Sequence, residues 1–177
     1  MERVFLPGGR PGQLLGVDYA AGEIVMVRSE NRASEQKLFA VGLDGQPRGN
    51  PTVLPLGTLD GARRLGRDEW IGWGSVRMGE RNAIAWALPS GSGSYELPPR
   101  VNLHSLSVGD NGRLVALSLY GALPELSDEI HVLELPEAKE ILRIMPRGSS
   151  QPNAMFVGSQ FFAYDARNAV RVLKIVP

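Results

Sequence analysis

Four arginines recur at one kind of place. Arg10 follows "LPGG", Arg63 follows "LPLGTLDGA", Arg100 follows "LPP" and Arg147 follows "MP". Each thus stands after an apolar–proline pair. Convergent guanidinium groups bind carboxylate or phosphate well, because each presents a planar fork of donors. Gathered at one mouth, the four would form a cationic ring. Without that convergence they are solvated turn arginines. Arg64 and His104 begin extended segments and would add to the same ligand-binding site.

The remaining reactive side chains are few. His104 and His131 are the only histidines. His104, in "LHSLS", can bind a ligand or shuttle a proton, or can be an ordinary satisfied imidazole. Glu129 and His131 are two apart, so both project from one face of a strand. Two ligands do not make a metal site, which wants three or four. His131 falls in a column with Phe39, Ile84 and Arg171, which places it at a strand end near the surface. No hydrolase elbow, P-loop or dinucleotide-type glycine pattern occurs. There is no cysteine, which excludes disulfides, thiolate catalysis and cysteine-held zinc or iron–sulfur centres. No catalytic residue, metal or cofactor is therefore expected.

Composition narrows the class further. The 177 residues are 43% hydrophobic with a formal net charge of +0. That length suffices for a buried core. A neutral chain lacks the basic surface that nucleic acid requires. No run approaches the roughly 18 apolar residues of a membrane span. Glu2 and Pro7 interrupt the stretch where a signal peptide would need an apolar region. A soluble, cytoplasmic protein without nucleic-acid or membrane partners is expected. The 21 glycines and 13 prolines are spread evenly between short apolar runs, an all-β signal.

Those runs repeat. Leu103–Val108, Arg113–Leu119, Glu129–Leu135 and Glu140–Met145 read as a four-stranded antiparallel meander, labelled a to d. The c-strand recurs as "LFAVGL" from Leu38, "AIAWAL" from Ala83 and "VRVLKI" from Val170. The b-strand recurs as "IVMVRSE" from Ile24, "WIGWGSV" from Trp70 and "FFAYD" from Phe161. The a-strands are "LLGVD" from Leu14 and "AMFVG" from Ala154, with a weak one around "ARRLG" from Ala62. The d-strands end in "VLP" at Val53–Pro55, "ELP" at Glu96–Pro98 and "IMP" at Ile144–Pro146. Proline suits strand ends and edges because it cannot donate to a ladder. The fourth unit has no d-strand after its c-strand, but "RVFLP" at Arg3–Pro7 has the same ending. "GSGSY" at Gly91–Tyr95 reads as a flexible c–d turn. Trp70, Trp73 and Trp86 fall in core columns of the b- and c-strands.

Units of about 44 residues match the length of a four-stranded propeller blade. Over nearly its whole length the chain resembles the β-propeller repeat proteins, with blades similar to the WD40 and YVTN type, as in "GDNGRLVALSLY…DEIHVLEL". The Gly-His and Trp-Asp hallmarks of WD40 repeats are absent. The resemblance implies one all-β domain over residues 1–177, with blades at about 12–57, 58–99, 100–147 and 148–177 plus 1–7. Two assemblies fit: a four-bladed ring closed by the N-terminal strand on the C-terminal blade, or an eight-bladed homodimer of half-rings. It also implies a non-enzymatic binding or scaffold module that recognises a protein or peptide through one propeller face. The alternative is a hydrolase or lyase in the central channel. The turns "SENRASEQ" at 29–36 and "GALPELSDE" at 121–129 are long enough to carry recognition, with Leu123, Pro124 and Leu126 as an apolar patch.

Overall fold

A computed structural model describes residues 13–18, 21–29, 35–77, 81–109, 112–121, 128–146, 152–158, 161–166 and 169–174. They form β-strands and turns, and no helix among them is long and apolar enough to cross a membrane. The strands make four antiparallel sheets. The first is β1 (Gln13–Asp18), β2 (Glu23–Ser29), β3 (Gln36–Gly42) and β4 (Thr52–Leu54). The second is β5 (Thr58–Gly66), β6 (Glu69–Ser75), β7 (Asn82–Leu88) and β8 (Gly91–Glu96). The third is β9 (Val101–Gly109), β10 (Leu114–Gly121), β11 (Glu129–Glu134) and β12 (Lys139–Ile144). The fourth has three strands, β13 (Ala154–Val157), β14 (Phe161–Ala166) and β15 (Ala169–Lys174). Within each sheet the strands follow one another in chain order, as a meander requires.

The chain divides into two compact units, Met1–Glu96 and Leu97–Pro177. In the first, one face of the β1–β4 sheet packs on the β5–β8 sheet. Val25, Val27, Leu38 and Ala40 meet Trp70, Ala83 and Ala85, with Leu54 and Leu56 sealed among them. Two small–large pairs make this sheet possible. Gly61 stands opposite Trp73, and Gly93 opposite Trp86. A Cβ at either glycine would run into the facing indole. Gly72 likewise leaves room for the Leu54 and Leu59 side chains. Trp70 and Trp86 are 1% exposed, whereas Trp73 is half-buried.

In the second unit Ala116, Ile130 and Val132 pack against Ala154 and Phe162, flanked by Phe156 and Tyr164. Gly109 lets the Phe156 ring lie against β9, and the Phe156 amide donates to Ser107 Oγ at 3.0 Å.

Three expectations change. The weak strand near Ala62 is β5, nine residues long, with bulges between Leu59 and Gly61 and between Arg64 and Gly66. Its polar, glycine-rich sequence hides it, because the Trp73 ring supplies the packing that its own side chains lack. The segment Gly91–Tyr95 is not a turn but most of β8, whose small residues fit beside Trp86. Third, β15 carries an apolar pattern like the other c-strands, yet all six of its residues are exposed. Among the described residues only one face of its sheet is packed, and β15 is the edge strand. Arg3–Pro7, the strand expected to close a ring against it, lies outside the described residues, as do Leu123, Pro124 and Leu126.

Gly61→Ala is expected to destabilise the protein by about 1–3 kcal/mol, the usual cost of overpacking. Gly16→Ala, with nothing within 4 Å of the new Cβ, should shift stability by less than about 1 kcal/mol. Thermal unfolding of the two variants makes the comparison.

Candidate functional site

Arg63 and Arg64 are neighbours on β5 with different surroundings. Alternation turns them to opposite faces. The Arg64 guanidinium donates to the Glu23 carboxylate, with both side chains 13% exposed. Its Nε also donates to the carbonyls of Gly66 at 2.9 Å and Arg67 at 3.1 Å. Arg64 thus fastens the β5–β6 turn to the start of β2. Gly49, at φ +78°, presses on the same turn, and the Asn50 amide donates to Asp68 Oδ1 at 2.9 Å. Arg63 stands exposed opposite Ile71 in the β5–β6 ladder.

Arg100 is exposed just before β9, in a turn where the Val101 amide donates to the Pro98 carbonyl at 3.3 Å. Its φ of 61° is left-handed, which is uncommon for a residue with a Cβ. His104 is exposed on β9, its ring edge-on to Tyr120 with centroids 6.3 Å apart. Arg100 and His104 belong to one compact unit and Arg63 and Arg64 to the other. Arg10 and Arg147 lie outside the described residues.

A shallow open groove of about 440 Å³ lies beside the β5–β6 and β7–β8 turns. Arg67, Asp68 and Glu69 form its charged lip, and Ala87, Leu88 and Pro89 its apolar wall. This is the opposite end of the sheet from the turns in which the sequence places recognition.

His131 is the main surprise. The sequence puts it at a strand end near the surface, but it sits within β11 at 0% exposure. Its Nε2 is 2.6 Å from Glu129 Oε2, and its Nδ1 is 3.2 Å from Glu140 Oε2. Arg143, directly across the ladder, donates to both oxygens of Glu140 at 3.0 and 2.8 Å and reaches within 3.8 Å of Glu129. The Glu129–His131 pair was legible from its spacing of two. Glu140 and Arg143 were not, because a bulge between Val132 and Leu133 sets the β11–β12 register. A fully buried imidazole cannot touch a substrate, so this cluster braces β11 against β12. Among the described residues no group of three histidines or carboxylates could hold a metal ion.

The fold is all-β and built of repeated antiparallel sheets. No protein-family model and no curated protein matches the sequence. The chain is similar to a solved structure from work on two prolyl endopeptidases and their inter-domain dynamics in catalysis and specificity. The likeness has a TM-score of 0.48 at 16% identity, over 88% of this chain. It spans 26% of that chain's length, and it assigns neither fold nor activity here.

Two predictions follow from the ion pairs. Arg64→Met leaves Glu23 half-sealed without its partner and should cost about 1–3 kcal/mol, while Arg63→Met should leave thermal unfolding nearly unchanged. The hydrogen bonds from Arg143 hold the Glu140 carboxyl below its ordinary value; burial opposes this, and the charges of His131 and Arg143 assist. A depressed carboxyl contributes stability that is present above its unfolded pKa and lost as pH falls through the folded one. Urea unfolding across the acid range should therefore show wild type losing more stability on acidification than Glu140→Gln. Parallel curves would contradict this.

Proposed function

We propose that the four sheets are blades of a β-propeller-type scaffold, and that the chain is a non-enzymatic binding module for a protein or peptide. The observation that carries this reading is the contrast among the charged side chains. Arg64, Glu23, His131, Glu129, Glu140 and Arg143 are joined in internal pairs. Arg63, Arg100 and His104 are exposed on or beside strands. Exposed guanidinium groups on a stiff scaffold suit a carboxylate- or phosphate-bearing partner, since little side-chain order is lost per bond formed. Arg10 and Arg147 are the remaining members of the proposed set.

Immobilised acidic, phosphorylated and neutral peptides test this reading. Acidic or phosphorylated peptides should be retained over neutral ones, with binding that weakens as salt rises. Reversing a charge in either unit, Arg63→Glu or Arg100→Glu, should lower the affinity about tenfold or more. Equal retention of all three peptide classes, or no change on charge reversal, would refute the proposal.

A further inference from the structure

The two faces of the β13–β15 sheet differ. Ala154, Phe156, Phe162 and Tyr164 face the β9–β12 sheet and pack on it. Register puts Met155, Ala163 and Val172 on the other face, with Val157, Phe161 and Lys174 to one side and Asp165 and Val170 to the other. On that face Met155, Val157, Phe161, Val170 and Val172 are 41–64% exposed. The inner strands of the other sheets are buried on both faces, as with Val25 and Met26, Trp70 and Ile71, and Val115 and Ala116. A contiguous apolar face of this kind marks an interaction site.

Its charges indicate what covers it. Asp165 lies at one end of the face beside Val170, and Lys174 at the other beside Phe161. At roughly 3.3 Å per residue they are about 13 Å apart along the strands. Neither has an ion-pair partner among the described residues. A two-fold axis in the plane of the face gives two ways to stack it on a copy of itself. With the axis along the strands, like ends meet and like charges face each other. With the axis across the strands, each Asp165 end meets the Lys174 end of the copy, twice per contact. Apolar residues then fill the middle, with Val172 near the axis.

We propose that this face is the contact surface for a second copy of the chain, laid face to face with its strands antiparallel. Such a contact is isologous, since each copy contributes the same patch. The proposal goes beyond the peptide-binding reading and uses none of its residues, so either can fail alone.

Mass in solution by light scattering tests it. Wild type should run at twice the chain mass of 19.2 kDa. Val172→Glu should run at the single-chain mass with an unchanged β-sheet spectrum. Asp165→Lys or Lys174→Asp alone should weaken the dimer about tenfold, as like charges then meet at both ends. The double variant Asp165→Lys with Lys174→Asp should restore it. The two charge variants, at half-buried Asp165 and exposed Lys174, keep the test valid if Val172→Glu does not fold. A single-chain mass for wild type at every concentration would overturn the proposal, leaving the face to be covered within the chain or by a different protein. A dimer that survives Val172→Glu, or a double swap that fails to restore it, would also overturn it.

Discussion

A β-sheet with apolar residues on both faces must be covered on both, and most of this structure answers that requirement. Strands β2, β3, β6, β7, β10 and β11 are runs of buried residues whose neighbours in sequence point to opposite faces. Each face needs a complementary surface at close-packed density. In the first unit Val25, Val27, Leu38 and Ala40 meet Trp70, Ala83 and Ala85, while within the β5–β8 sheet Trp73 lies over Gly61 and Trp86 over Gly93. In the second Ala116, Ile130 and Val132 meet Ala154 and Phe162. The glycines here act as sockets for aromatic rings, not as flexible points.

Electrostatics serves the same end. Arg64 with Glu23, and the cluster of Glu129, His131, Glu140 and Arg143, hold polar groups where strands or turns must stay in register. The nearly sealed Arg64–Glu23 pair gains little net energy over apolar packing, because desolvation offsets its attraction, and solvent screens the half-exposed Arg143. Their effect is on arrangement. Arg143 stands opposite His131, so a one-residue slip between β11 and β12 would part the buried imidazole from Glu140 and leave it Glu129, two residues away on its own strand.

Much of the strand pattern was legible in the sequence because its strands are dense in apolar and β-branched residues. The four units and the order of strands within them follow from that density. What was hidden depends on partners. β8 looks like a turn because glycine and serine are turn formers, and only the tryptophan opposite explains them. β5 is masked by its charged residues. β15 shows the reverse, an apolar strand that looks buried and is exposed. For the site, the sequence singled out Arg63, Arg64, Arg100 and His104 alike. It could not show that Arg64 is tied to Glu23, because that contact spans 41 residues.

The backbone at Arg100 adds a further consequence. A side chain at φ 61° sits in a region that glycine occupies freely and arginine does not. Holding it there costs on the order of 1 kcal/mol. Replacement by glycine would relax the turn while removing the guanidinium. At this position, therefore, the residue best for folding and the residue that carries the charge are different, and the presence of arginine is a local departure from the most stable sequence.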